Sequence, residues 1–484
     1  MPQDAQDLNA AIALTRFGMG ARPGEIDAVA TGPRDWLEAQ VRPGGAPQPE
    51  GAFASSSARV EDFLGYRQTG QDRRQAGAPM QDGPMPDGPM PDTPMSDTPM
   101  SGEAQAAFDA RRESRQALAR ETGQAFVSRA MHAATTPDGF AERWALFWAN
   151  LFTASATKFQ SAIFLESYER EAIRPHVFGR FETLALAAEQ HPAMLLYLDQ
   201  AQSVGPNSRA GQRRNAGLNE NLAREILELH TVGSDGGYSQ ADVTEFARAL
   251  TGWSIPQPRD GPGAGGGGFV FRPVVHEPGE RTVLGRRYPD AGRAQGEAIL
   301  KDLANRPETA RRLSRKLAAH FVADDPDPAL VARLEAAWTG SGGDLAAVAR
   351  VLIAAPEAWS PQPAKVKTPY EFIVSAHRAF GGAPQRVEPL RQALTGMGQP
   401  MWGAPSPEGW PDTAGDWAGP DALVKRLDWA RRVGALAQGS DPNVVAAGAL
   451  GPRLGERSRT AIARAESRPE AITLFLMSPE FQRR

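Results

Sequence analysis

The sequence predicts an all-α fold: a large multi-helix domain with a small β-hairpin or flap and a disordered Met/Pro/Asp-rich insertion. Three observations carry that expectation. From Ala104 onward, apolar residues recur with the 3.6-residue helical period over most of the chain. A single stretch, 265–288, breaks the period with a glycine run, short apolar clusters and turn residues. Residues 43–102 hold Gly, Pro, Ser and Asp at a density that cannot build a packed core.

Taken in order, 8–19 (closed by Gly20 and Pro23) and 33–41 read as two short helices, so 1–41 is an N-terminal helical segment. Residues 42–103 form the low-complexity insertion. Within it Met80, Met85, Met90, Met95 and Met100 recur every five residues, each after a proline, with Asp82, Asp87, Asp92 and Asp97 between them. Methionine thioethers suit Cu(I), but a perfect short repeat rich in Pro and Gly is foremost the composition of a disordered linker. The main helical domain is 104–484. Its helices are expected at 104–133, 140–152, 163–178, 181–189, 192–199, 218–231 and 240–251. Three or four more fall between 291 and 355, one spans 369–380, and the last begin near Asp421. The apolar runs at 351–359 and 474–481, each ending in Pro-Glu-aromatic, are a two-copy echo and not a solenoid.

A length of 484 residues allows two or three domains or one large helical domain. Hydrophobic residues at 41% and a formal charge of −4 describe an ordinary globular surface without a polyanion-binding field, so nucleic acid is not an expected partner. Only six of the 53 basic residues are lysine. The absence of cysteine removes disulfides, thiolate nucleophiles and Cys-ligated metal. No apolar window reaches the roughly 18 residues of a membrane span, and 1–16 lacks a basic stretch followed by an apolar run. The chain as written is therefore expected in the cytoplasm, with periplasmic co-export on a partner as the alternative.

The motif Asn219-Glu-Asn-Leu-Ala-Arg-Glu-Ile-Leu-Glu-Leu-His230, with Gly237-Tyr238 and Asp242-Val-Thr-Glu-Phe-Ala-Arg-Ala-Leu-Thr-Gly-Trp253, closely resembles the signature of the bacterial domain-of-unknown-function 1800 family. The likeness extends to Trp148-Ala-Asn150-Leu-Phe152, His276 with Gly279, Leu284-Gly285, Lys367-Thr-Pro369 with Glu371-Phe372, and Pro479-Glu-Phe-Gln482. Leu151 stands where many members carry histidine, and Arg281 where lysine is common. The resemblance implies a bacterial, often exported protein. It also implies a partner in a neighbouring uncharacterised family, number 1501, whose members resemble sulfatase-like exported proteins.

On a helical wheel Leu218, Leu222, Ile226 and Leu229 form the apolar stripe of 218–231. Asn219 and His230 fall inside it. Glu220, Asn221, Arg224 and Glu228 lie opposite, with Glu225 at the edge. A buried Asn or His must be hydrogen-bonded or ligating, because leaving it unpaired costs about 1–3 kcal/mol; backbone satisfaction near a helix end serves as well as a functional role. Residues 231–242 have the length of a calcium loop, with Asp235, Gly236 and Asp242 in register, but lack the first carboxylates. Ser239 with Asp242 equally makes a helix cap. His276 sits on the candidate flap. With His230, Glu225 and His320 it could complete a His/carboxylate site for a divalent metal or an acid–base pair. No phosphate loop or nucleophile elbow is present. Lys365 and Lys367 precede a helix start, where they bind an anion or are simply solvated. Trp402, Trp410, Trp417 and Trp429 crowd a Pro/Gly-rich stretch, as a stacking surface or as core anchors.

Two function classes follow. The favoured one is a binding or assembly partner of an exported protein, with Asn219, Asn221, Arg224, Trp253, Lys367, Trp402 and Trp410 as contact residues. The alternative is a metal-assisted or hydrolase-like enzyme with Glu225, Glu228, His230 and His276 as catalytic groups, His230 and His276 also holding the metal.

Overall fold

The computed structural model describes residues 3–77, 101–213, 217–257, 260, 268–436 and 439–484. The methionine repeat, expected as disordered, lies outside the described residues, as does 261–267 of the glycine run. The fold is all-α, with 24 α-helices and two small antiparallel strand pairs among the described residues. No described helix is long and apolar enough to cross a membrane.

Helix α1 (Gln3–Ile12) runs into a π-helical turn, Ala13–Phe17, whose residues are all buried. Its Arg16 guanidinium donates to the Ala358 carbonyl at 2.7 Å, tying this segment into the same core as the helices far downstream. A correction to the expected irregular chain of 42–103 follows: 56–75 is a helix, α2 (Ser56–Gln75), capped by the Ser55 side chain accepting from Ala58 N. Val60, Phe63 and Tyr66 lie three residues apart and are buried. Tyr66 packs against Phe159 at 4.8 Å and beneath the Arg111 guanidinium at 4.2 Å. Arg111 belongs to α3 (Gly102–Thr135), the neighbour α2 lies against. Helix-period apolar residues were present there, diluted by the Pro and Gly around them.

The core is aromatic around α4 (Gly139–Leu151), where Phe140, Trp144 and Trp148 are fully buried. Next come α5 (Phe181–Gln190) and the short α6 (Asn221–Glu225), which passes directly into a π-helical turn, Ile226–His230. Helix α7 (Gln240–Leu250) starts with a Ser239/Asp242 capping box. The other Asp242 oxygen accepts from Leu284 N at 2.6 Å, so this aspartate is spent on structure and the calcium reading of 231–242 loses its twelfth ligand.

The stretch after α7 holds both strand pairs. Strand β1 (Trp253–Ser254) pairs with β2 (Val270–Phe271), and β3 (Arg281–Val283) with β4 (Arg286–Tyr288). The hairpin expected in this stretch is therefore present at 281–288. Its turn residues Leu284 and Gly285 both have positive φ, the backbone of a tight two-residue hairpin. Asp242 clamps that turn against α7, so it is not a flap over a cleft.

Helices α8 (Pro307–Phe321), α9 (Pro369–Ala379), α10 (Val387–Gly396), α11 (Pro420–Leu436) and α12 (Arg468–Leu476) complete the elements needed below. Buried apolar residues form two clusters. One is built around α1, α4, α5, α7 and α8; the other around α3, α9, α10 and α12, and Trp402 packs against both.

Candidate functional site

A cavity of about 130 Å³ opens at the seam between the two clusters, with Leu165 and Tyr168 from one and Phe126, Tyr370 and Leu394 from the other in its walls. The loop after α10 closes it. That loop is pinned to the end of α4 by a reciprocal pair: Asn150 Nδ2 donates to the Trp410 carbonyl at 3.0 Å, and Trp410 N donates to Asn150 Oδ1 at 2.8 Å. Gly409 (φ 88°) permits this approach, because a Cβ there would lie 2.5 Å from the Asn150 carbonyl oxygen. Trp402, also in the loop, holds a left-handed φ of 55°, a costly conformation for a bulky residue. Its carbonyl accepts from Ala156 N at 2.7 Å, which helps fix it.

One wall is a buried charge network. His320, in the last turn of α8, places Nδ1 2.7 Å from Asp412 Oδ2. An ionised carboxylate only accepts, so Nδ1 carries the proton and Nε2 keeps its lone pair. Nε2 is buried and has no hydrogen-bond partner among the described residues. Burial lowers the His320 pKa; Asp412 opposes that, yet the net shift is downward. Burial pushes the Asp412 carboxyl up, but His320, Arg484 and Lys365 outweigh it and hold the group below the usual range. Lys365 reaches the Asp412 carbonyl and lies 2.5 Å from Asp324 Oδ1. Arg484 donates to the His320 carbonyl at 2.7 Å and stands 3.1 Å from Glu371 Oε1. Glu371, third residue of the capping box that starts α9, also pairs with Arg143; these two arginines overcome the effect of burial and keep its carboxyl well below the ordinary value.

The lining also holds Arg129, whose Nε donates to Glu169 Oε2 at 2.9 Å. Its guanidinium lies 4.9 Å from the Tyr370 ring and 5.0 Å from that of Trp402. Glu169 opens a π-helical turn, Glu169–Ile173, a distortion common at functional sites.

The residues singled out from sequence are distributed differently. His230 is completely buried, its Nδ1 2.7 Å from Glu189 Oε1 but out of line for a hydrogen bond. His276 is held elsewhere, by the Thr251 carbonyl 2.8 Å from Nδ1 and by the Phe271 ring. The two histidines thus have separate partners. Among the described residues no three His, Asp or Glu side chains converge as a metal ion would require. Glu225 is half-buried, its carboxyl pushed up by burial, and Glu228 accepts from the Tyr238 hydroxyl at 3.4 Å. Asn219 Oδ1 accepts from Asn221 N, the first residue of α6, at 2.8 Å. Arg224 pairs with Glu220 one turn away. Trp253 is in the core. Lys367 is buried, donating to Ser375 Oγ at 3.1 Å above the Phe481 ring. Trp402 and Trp410 line the cavity, whereas Trp417 caps the Pro411 carbonyl and Trp429 packs on Phe372. The sequence marks His320 only as an accessory and Glu371 only within the Lys367–Phe372 motif, and it does not mark Asp412, Arg143 or Arg129. No local spacing could have shown the central pair, since His320 and Asp412 are 92 residues apart.

A family model described as protein of unknown function (DUF1800) matches residues 12–483. No curated protein and no solved structure matches the chain.

Proposed function

Because the chain belongs to the DUF1800 family, whose description assigns no activity, we propose its function from the pocket alone: a hydrolase-like enzyme acting on a small ester, with His320 as general base. One observation carries this reading. His320 is oriented by Asp412 at 2.7 Å, keeps Nε2 unpartnered among the described residues, and lines a cavity large enough for a substrate part of benzene size. This is the base-and-orienter arrangement of hydrolytic sites. In it Nε2 takes a proton from a water that adds to the ester, Asp412 stabilises the imidazolium that forms, and as the ester bond breaks the imidazolium returns that proton to the leaving alkoxide, while Arg143 and Arg129 contribute positive potential to the cavity walls. In this reading the tryptophans at 402 and 410 serve as pocket wall.

The test is turnover of small chromogenic acyl and phosphate esters by the full chain and by His320→Gln. General-base removal lowers kcat by about 10²–10⁴-fold while KM moves little. Equal turnover by the variant, or no turnover of any ester by the native protein, sinks the reading.

A further inference from the structure

Helix α8 carries Arg312, Lys316 and His320 at i, i+4 and i+8, so the three stand above one another on one face. At 1.5 Å per residue the row is about 12 Å long. Its inner side is core, through Leu313, Leu317 and Phe321. The arginines on the outer side of α8 have carboxylate neighbours, Arg311 with Glu335 and Arg315 with Asp325, both at 3.5 Å. Arg312 and Lys316 differ. They are half-buried, yet neither forms an ion pair with a described residue, and Arg312 Nη1 is fully buried without a hydrogen-bond partner. Two partly desolvated cations one turn apart, lacking counterions, are costly unless an anion completes them.

The neighbourhood fixes their position. The Arg312 stem crosses the 231–242 loop at Gly233 (φ 87°), where a Cβ would lie 2.6 Å from Arg312 Cδ. At the other end, one turn beyond Lys316, the row reaches His320 and Asp412 in the pocket wall. Glu408, Glu228 and Asp412 act on these cations only at longer range, and burial outweighs them, lowering both pKa values.

We propose that Arg312 and Lys316 form a phosphate-binding strip at the outer edge of the pocket, and that the substrate is a small ester bearing a phosphate group. The phosphate is a handle that does not react: it rests on the strip while the ester reaches His320. Two unpaired positive charges match the near-dianionic charge of a phosphate monoester at neutral pH. The arginine fork and the lysine point charge are the usual donors to such a group. The substrate class rests on the hydrolase reading of the pocket, whereas the strip can be tested without turnover.

The experiment titrates the full chain with inorganic phosphate, and separately with acetate, by calorimetry at constant ionic strength. The native protein is compared with Arg312→Gln, Lys316→Gln and His320→Gln. Saturable phosphate binding is expected, weakened at least tenfold in Arg312→Gln and in Lys316→Gln and unchanged in His320→Gln. Because His320→Gln keeps the anion site, native-level ester turnover by that variant with intact phosphate binding would sink the pocket reading alone, whereas its loss of turnover with no saturable phosphate binding in any of the proteins would sink the strip alone. Native-protein affinity should also rise from pH 5.5 to 7.5 as phosphate gains its second charge, a readout independent of whether a variant folds. The proposal is overturned if phosphate does not saturate, if acetate binds as tightly, or if folded Arg312→Gln and Lys316→Gln both bind like the native chain.

Discussion

Two histidine–carboxylate pairs, His230–Glu189 and His320–Asp412, share the same nitrogen–oxygen separation of 2.7 Å but sit in opposite surroundings. In the first, both side chains are at most 1% exposed, the approach is out of line, and no other hydrogen-bond partner reaches either group among the described residues. In the second, the side chains are 16% and 30% exposed, the hydrogen bond is in line, and Lys365 and Arg484 share the carboxylate. A proton can be exchanged with a ligand only at the pair that borders a cavity. Proximity of acid and base is therefore not enough to mark a site; an in-line hydrogen bond and a bordering cavity set the His320 pair apart.

The largest effect separating the two pairs is on stability. His230→Ala or Glu189→Ala leaves a buried polar partner alone and should destabilise the fold by about 3–5 kcal/mol. Replacing both with leucine removes the pair whole and should cost far less than the two single losses combined. Urea unfolding of the four proteins measures this. A double variant as damaged as the sum would mean that His230 and Glu189 hold the fold through separate contacts.

At the pocket pair the expected balance is reversed. Asp412→Asn keeps the shape but cannot accept as a charge from His320, Lys365 or Arg484, and should cost about 1–3 kcal/mol. Ester turnover should fall by about 10²-fold or more, because the asparagine no longer enforces the tautomer that leaves Nε2 unprotonated. Turnover that survives alongside the stability loss would make this pair as structural as the other.

How much of this could be read from the chain follows from the range of each interaction. The Ser239/Asp242 cap spans three residues and was visible as a pattern. The burial of His230 followed from the helical wheel, but its partner Glu189 lies on another helix, α5, about which the wheel is silent. Asn219 also falls on the apolar side of the wheel, and its Oδ1 is spent on the Asn221 N–H at the start of α6. Helix α2 is hard to read in the sequence because its apolar row is framed by Pro and Gly. Asp412 stands in a loop without period, and its place beside His320 depends on Asn150 and Gly409 holding that loop against α4. Local chemistry was legible, whereas a site assembled across 92 residues required the fold.

A smaller effect is expected from pH. Burial holds His320 below its ordinary value of about 6.5, so below that pH the unfolded chain binds the proton more readily than the folded one. Stability then rises with pH through this window and is lost as pH falls below about 6.5, by at most about 1.4 kcal/mol per unit for one histidine. Buried His191, pushed down to about 3, acts in the same direction over a wider range. Denaturation midpoints between pH 7.5 and 5 should therefore fall in the native protein and fall less steeply in His320→Gln. Parallel slopes would show that His320 is not protonated differently in the two states.

The smallest expected effect concerns Glu225, which the sequence placed beside His230 as a catalytic candidate. Its carboxyl is raised mainly by burial, with Glu228 and Glu189 adding to the repulsion and His230 and Arg224 opposing it. A raised carboxyl is a mild liability when charged, present above its unfolded value and relieved on acidification. Glu225→Gln removes the charge at similar volume, so stability at pH 7 should change by no more than about 0.5 kcal/mol, and ester turnover should stay at the native level. A marked fall in turnover with unchanged stability would transfer the chemistry from the His320 pocket to the π-helical turn at His230, and would break the comparison at its base: a fully enclosed pair would then have to open to act.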